Sequence, residues 1–256
     1  MKSVKPYYES QSGVLYNGKA EEILPAFDSE SVDLIITDPP YNIGDKDKLT
    51  KKGNKLVSTE EAWGKEFKDS YDFERYVEWI VELSKEFYRI LKKTGSLILF
   101  LDRNYSGYFA YLIEKNTGFK LRNKIYFEKL NPLPHIRKNN YRSCIEEALW
   151  FTKGKTYYLN FISQDKMLQV FKGFIGKKKT SHPTEKYMWM IEPLITRHSK
   201  PGDIVLDPFF GSGTVGEVCE LNGRRWIGVE KEEKFCLMAK RRIEKISKLT
   251  LFLNKK

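Results

Sequence analysis

Short apolar runs alternate along this chain with stretches in which apolar residues recur every three or four positions. The runs at 14–16, 32–37, 96–101, 124–128, 148–152, 204–206 and 226–229 are the expected strands. Most are apolar at consecutive positions, as in strands covered on both faces. Between them, Phe73, Val77, Ile80, Val81, Ser84, Phe87 and Leu91 trace one face of a helix, with Gly95 as its expected stop. Residues 214–221 read as a second helix closed by Gly223, and 234–246 as a third with Phe235, Ala239, Ile243 and Ile246 inward. The 185–198 stretch has helical period too, but Pro193 predicts a kink or break inside it, because proline lacks an N–H and crowds the preceding turn. Strand and helix patterns in alternation predict an α/β protein with a mostly parallel sheet and helices on both faces.

Two polar stretches interrupt the pattern. Residues 45–62 open with DKDKLTKKGNK, which has almost no apolar anchor, and are expected to form a mobile loop. Residues 172–179, KGFIGKKK, are the densest basic cluster; a solvated loop and a nucleic-acid contact through Lys177, Lys178 and Lys179 weigh about equally there. With 256 residues and no internal repeat, the chain is expected to be one domain, 1–256.

Composition narrows the partners. An excess of Lys and Arg leaves a formal charge of +11, which favours a polyanion, and an aromatic share of 14% supplies rings on which unstacked bases could lie. No apolar run reaches the length of a membrane span, and no apolar stretch follows the first lysines, so no membrane partner and a cytoplasmic location are expected. Cys144, Cys219 and Cys236 have no CxxC spacing, so neither a disulfide framework nor a bound metal is expected.

The chemistry gathers at two strand ends. In DIVLDPFFGSGTVG, residues 203–216, a strand runs into a Gly-x-Gly turn and a helix, a geometry that lets backbone N–H groups approach a ligand closely. One strand later, Glu230 ends the run WIGVE, where a carboxylate can accept both ribose hydroxyls of a nucleoside. No lysine follows the glycines, which disfavours a phosphate-binding loop. The other end is TDPPYNIG, residues 37–44. In an open α/β sheet such ends share one edge, so both loops can serve one crevice.

Together these motifs resemble the S-adenosylmethionine-dependent amino-methyltransferases of DNA. The D-P-P-Y tetrad is Asp38, Pro39, Pro40 and Tyr41, and the F-x-G-x-G loop is Phe209 to Gly213. GKAEEIL at 18–24, NPLP at 131–134, EEALW at 146–150 and HPTEK at 182–186 add to the likeness, which runs from about Val14 to Ile243. Tetrad first and glycine loop last is similar to the β group of that family. The resemblance implies a Rossmann-like methyltransferase fold, circularly permuted, with a seven-stranded sheet. It implies S-adenosylmethionine as cofactor, held by Asp207, Phe209, Gly211, Ser212, Gly213, Thr214 and Glu230, with Thr184 and Lys186 at its amino-acid end.

By the same resemblance the reaction is methylation of adenine N6 in a specific double-stranded DNA sequence, with base flipping, in restriction-modification. A homodimer and a cognate restriction endonuclease are the further partners it brings. The chemistry suits the tetrad. An adenine amine is a poor nucleophile because its lone pair is delocalised, and the Asp38 carboxylate and the Pro39 carbonyl can each accept one N6–H bond. Prolines preset that carbonyl's direction, and Tyr41 offers the flipped base a ring. For Glu146 a salt-bridged acid is as plausible as a functional one, and His182 reads as structural. Cytosine N4 is the nearest rival target, and a catalytically silent DNA-binding subunit is the alternative from another class. Residues 131–142 and 152–181 are the expected recognition elements, with Arg137, Lys138 and Arg142 meeting phosphates or guanine edges, or simply solvated.

Overall fold

The computed structural model describes residues 4–41, 49–52, 55–58, 72–135, 138–177, 179–180, 182 and 184–253. In chain order its strands are β1 (Tyr8–Glu9), β2 (Gly13–Asn17), β3 (Val32–Thr37), β4 (Leu49–Lys52), β5 (Lys55–Ser58), β6 (Leu91–Phe100), β7 (Lys120–Lys129), β8 (Ile145–Thr152), β9 (Val170–Gly173), β10 (Ile204–Asp207) and β11 (Arg225–Glu230). The helices are α1 (Ala20–Ile23), α2 (Phe73–Ile90), α3 (Ser106–Asn116), α4 (Met188–His198), α5 (Thr214–Leu221) and α6 (Glu233–Leu253).

The main sheet runs β1-β2-β11-β10-β3-β6-β8-β7-β9. Its centre, from β2 to β6, is parallel, while β8 pairs antiparallel with both β6 and β7. All seven expected strands are present, but the sheet has nine. The two extra strands, β1 and β9, lie at the edges and are too short to carry a period.

Alternation along each strand divides the core into two layers. Val32 and Ile35 of β3 face one layer with α1, α2 and α3, where Tyr76, Ile80, Phe87, Phe109 and Ile113 are buried. Leu34 and Ile36 face the other with α4, α5 and α6, among Met190, Leu194, Val218, Cys236 and Ile243. The helices thus cover both faces, as the continuous apolar runs require.

Four expectations change. The first long helix ends at Ile90 and β6 begins at Leu91, so Gly95 lies inside a strand and is no helix stop. A Cβ there would meet the Asp33 carbonyl oxygen and the Leu91 side chain at 2.7 Å, so glycine is needed for close strand contact. Within 45–62, expected to be a mobile loop, the described residues form the antiparallel hairpin β4–β5, and the rest of that stretch lies outside the described residues. Pro193 neither breaks nor ends its helix: α4 is continuous across it. The missing N–H removes one bond, to the Trp189 carbonyl, and burial of Met190, Ile191, Leu194 and Ile195 offsets that loss. That helix also starts at Met188, which leaves 184–187 as non-helical chain.

The three cysteines are free thiols, and among the described residues no helix is long and apolar enough to cross a membrane and no cluster of His, Cys, Asp or Glu could hold a metal.

Phe119 is fully buried, with its ring edge-on to Tyr88 at 5.1 Å and tilted against Phe151 at 5.9 Å, away from the strand ends described below. Phe119→Ala should cost roughly 3–5 kcal/mol, from lost transfer energy plus a cavity. Urea unfolding should show a lower midpoint at unchanged slope, and no shift would mean that the layer repacks freely.

Candidate active site

Because β3 and β10 are parallel neighbours, with Val205 beside Leu34 and Leu206 beside Ile35, their carboxyl ends open on the same edge of the sheet. A cleft of 920 Å³ lies there, lined by the tetrad, the glycine loop, Glu230 and the 184–187 segment. Arg75, Arg103, Leu133 and Ile175 also line it.

On the β10 side the turn is built by backbone demands. Gly211 and Gly213 have φ of +51° and +81°, a region that disfavours side chains, and a Cβ at Gly213 would press on Ala239 at 3.0 Å. The neighbouring phenylalanines divide their work. Phe210 is core, stacked on Trp226 at 5.2 Å, whereas Phe209 is half-buried at the cleft, edge-on to Trp79 at 5.5 Å. Glu230 accepts from the Gly211 N–H and the Glu232 N–H, both at 2.8 Å, through different oxygens, and each oxygen keeps a second lone pair. Asp207, only 5% exposed, accepts from the Phe209 N–H at 3.0 Å. Burial pushes its carboxyl up to about 8 against the Phe209 N–H and the Thr37 hydroxyl, and the nearby carboxylates of Asp38 and Glu230 add to the rise.

On the β3 side Tyr76 of α2 donates from its hydroxyl to the Pro40 carbonyl at 2.7 Å, which anchors the tetrad to the helix layer. Lys186 meets the tetrad from the segment before α4. Its Nζ is 3.1 Å from Asp38 Oδ2, 3.0 Å from Tyr41 Oη and 2.7 Å from Glu146 Oε2. It also lies 4.7 Å from the centre of the Phe100 ring and 5.2 Å from that of Tyr41. The other Glu146 oxygen pairs with Lys129 at 2.5 Å. Burial alone would raise Glu146, but the ammoniums of Lys186 and Lys129 outweigh it and hold the carboxyl at about 2. Burial likewise works against the Lys186 charge and loses to Asp38 and Glu146, which carry that ammonium well above its ordinary value. For Asp38 burial, aided by the Glu146 charge, wins over Lys186 and the Tyr41 hydroxyl, and the carboxyl is raised. Its second oxygen, Oδ1, is buried without a hydrogen-bond partner.

Beneath the glycine loop lies a second charged cluster. Arg242 of α6 pairs with Glu185 at 3.1 Å and with Glu217, and donates to the Thr214 hydroxyl at 3.0 Å and the Ser212 hydroxyl at 3.3 Å. Thr214 Oγ1 in turn donates to the Lys186 carbonyl at 3.2 Å. The cluster ties the loop, α5 and α6 to the segment that carries Lys186.

The expected site residues therefore sort by position. Asp38, Pro39, Pro40, Tyr41, Asp207, Phe209, Gly211, Glu230, Thr184 and Lys186 all line the cleft, and Gly213 begins the helix behind it. Ser212 and Thr214 also border it, but their hydroxyls are engaged by Arg242. Lys186, expected at a cofactor's amino-acid end, is engaged with Asp38 and Glu146. Lys179, expected to meet DNA, is itself exposed, and its ammonium pairs with the buried Glu217 at 2.6 Å. Arg142 is exposed and donates to the Pro132 carbonyl, Lys138 and Lys177 are exposed, and Arg137 and Lys178 lie outside the described residues. The two expected recognition stretches meet: the Asn131 side chain accepts from the Ile175 N–H at 2.6 Å and donates to its carbonyl at 3.0 Å, and β9 pairs with β7. Sequence reasoning missed Lys129, Tyr76, Trp79 and Arg103. Tyr76 and Trp79 fall in the α2 pattern one position before the inward-facing Val77 and Ile80, a signal that was present and passed over.

Comparison with known proteins agrees with this geometry. Residues 32–241 match the DNA methylase family model, which takes in N6 and N4 methyltransferases. The chain is 30% identical to the type II methyltransferase M2.LlaDCHI of Lactococcus lactis subsp. cremoris, over 94% of this chain and 93% of that one. Among solved structures, the M1.HpyAVI–SAM complex superposes with a TM-score of 0.65 at 27% identity, over 90% of this chain and 98% of that one. The cytosine-N4-specific PvuII DNA methyltransferase superposes with a TM-score of 0.76 at 21% identity, over 95% and 93%, a likeness of fold.

Asp207 provides a test of the cleft's electrostatics. Its folded value of about 8 exceeds the ordinary 3.8, so the folded protein holds a proton that the unfolded chain has released. Stability from this group therefore declines as pH rises through about 4 to 8 and is level above that window. Asp207→Asn cannot ionise, so its stability relative to wild type should rise between pH 5 and pH 9, by an amount on the order of a few kcal/mol. Parallel urea titrations at the two pH values measure it; equal differences at both would show that Asp207 ionises normally.

Proposed function

The chain belongs to the DNA methylase family, and from that premise we propose that it methylates adenine at N6 in double-stranded DNA, with the target base turned out of the helix into the cleft. The observation that carries the reading is the Asp38 carboxylate: Oδ2 is held by Lys186, while Oδ1 is buried at the cleft with no partner. A buried carboxylate oxygen without a partner is costly unless a ligand supplies a donor, and an exocyclic amine supplies one. Asp at the head of the tetrad, where serine is typical of cytosine enzymes, favours adenine over N4 of cytosine, the second reading that the family's breadth keeps open. The kinship with type II methyltransferases supports a role in restriction-modification.

S-adenosylmethionine fits the residues present: when bound, it supplies an electrophilic methyl group on a positively charged sulfur. The tight glycine turn brings backbone close to a ligand, the Phe209 face lies at the cleft, Glu230 keeps two lone pairs for ribose hydroxyls, and Asp207 offers a carboxylate to an ammonium. Asp38 and the Pro39 carbonyl accept the two N6–H bonds and turn the nitrogen lone pair toward the methyl carbon, and the Tyr41 ring supports the base. Proline geometry and the Tyr76 bond to the Pro40 carbonyl keep that arrangement rigid, so little reorganisation is left for the reaction itself.

Incubating wild type and Asp38→Ala with labelled S-adenosylmethionine and unmethylated DNA, then digesting to nucleosides, should put the label on N6-methyladenine with wild type. The variant should be slower by about 100-fold or more, the scale for losing one transition-state contact. Label on N4-methylcytosine would overturn the choice of base. For DNA contact, the exposed Lys138 and Lys177 can each neutralise one phosphate. Replacing both by Ala should weaken binding evenly across sequences and flatten the slope of log affinity against log salt by about 2. An unchanged slope would remove both from the interface.

A further inference from the structure

Lys186 has three N–H donors, and the structure engages all three: Asp38 Oδ2 at 3.1 Å, Tyr41 Oη at 3.0 Å and Glu146 Oε2 at 2.7 Å. None is left over for a cofactor. The contact with Asp38 continues as an alternating series, Asp38, Lys186, Glu146 and Lys129, two anions and two cations contributed by the end of β3, the segment before α4, β8 and β7. The series sums to zero charge. Its members come from four separate parts of the chain, and the rings of Phe100 and Tyr41 lie beside its central ammonium.

On the reading of this site as an amino-methyltransferase, we propose that Lys186 is a positioning residue for methyl transfer: it clamps Oδ2 of Asp38 and leaves Oδ1 directed at the target amine, with Glu146 and Lys129 holding the clamp in place. A carboxylate in this cleft has lost most of its water and tends to take up a proton, and a protonated Asp38 would present a donor where the amine needs an acceptor. The groups that face Asp38 are Tyr41 from its own loop, Lys186, Glu146 with Lys129 behind it, and Asp207 from β10. Of these, Lys186 is the cation in direct contact with it. The clamp therefore keeps Asp38 an acceptor.

The same arrangement balances the reaction. As the amine lone pair bonds to the methyl carbon, the carbon–sulfur pair stays on sulfur and the nitrogen becomes positively charged. One N–H proton then passes to Asp38 Oδ1, and its bonding pair returns to nitrogen. Asp38 is now neutral, Lys186 and Lys129 share Glu146 as counter-ion, and the series carries one net positive charge that favours release of the proton. Release of the proton to water as the product leaves restores the site.

The direct readout is the titration of Asp38 itself. With aspartate labelled at the carboxyl carbon and the Asp38 signal assigned by Asp38→Asn, nuclear magnetic resonance follows its midpoint in the cofactor-free protein. In Lys186→Met combined with Glu146→Gln, which leaves no carboxylate of the pair stranded, the midpoint should rise by about one unit or more. Glu146→Gln alone should lower it, because Lys186 then serves Asp38 undivided, and Lys186→Arg should hold it near wild type. Single-turnover transfer at saturating cofactor should follow, with the double variant losing rate at a higher pH than wild type as pH falls, while cofactor affinity changes less than about threefold. An unmoved Asp38 midpoint in the double variant overturns the proposal. So does a tenfold loss of cofactor affinity with an unmoved pH profile, which would put Lys186 on the cofactor. If wild type transfers no methyl group to DNA, the proposed function fails, while the carboxyl titrations still decide the role of Lys186.

Discussion

The parallel pairing of β3 with β10 is the constraint on which the site depends. These strands are far apart in the chain and central in the sheet, and both end in an aspartate, Asp38 just beyond Thr37 and Asp207 at the last position of β10. Parallel neighbours release their chains on the same side, so the tetrad and the glycine loop cannot avoid facing one cleft. Each loop is anchored to a neighbouring element: Tyr76 of α2 bonds the Pro40 carbonyl, and Phe210 of the glycine loop stacks on Trp226 of β11 beside Gly228, where any Cβ would strike the Phe210 ring at 2.6 Å.

Bringing two strand-end carboxylates together has an electrostatic cost, and the protein meets it differently on the two sides. Asp38 is compensated by a cation that is itself shared with Glu146. Asp207 has no such partner among its contacts and is the acid pushed up to about 8, so the pair need not carry two full charges at neutral pH. A cofactor bearing positive charge would reverse that balance, which makes the cleft a better host for a cation than for a phosphate. The second charged cluster, around Arg242, is buried and hydrogen-bonded on most sides, and ion pairs of that kind add specificity of arrangement more dependably than stability. Its consequence is geometric: through Thr214 it holds the carbonyl of Lys186, and with it the residue that contacts Asp38.

Much of this was legible beforehand where a signal is local and repeated. All seven strand runs were, because a strand covered on both faces must be apolar at consecutive positions. So were the tetrad and the glycine loop, whose residue types are dictated by chemistry and by positive φ. The edge strands β1 and β9 were not, since two or four residues carry no period. Pro193 was misjudged because the rule that proline breaks helices omits what four buried neighbours contribute. Gly95 looked like a helix stop and is a strand glycine that admits the Asp33 carbonyl.

Charge was the least legible property. Lys179 and Lys186 stand in the sequence as basic residues open to any anion, and a count of +11 treats them alike. In the fold one is paired with Glu217 and the other stands between Asp38 and Glu146, partners from 38 to 148 positions away. The α/β class and the two motifs could be read from the residues alone, because hydrophobic period and backbone requirements act within a few positions. Which cation answers which carboxylate, and which carboxylate oxygen stays open, was settled by the folded arrangement, because Coulomb energies depend on distance and burial, and neither exists until the sheet has formed.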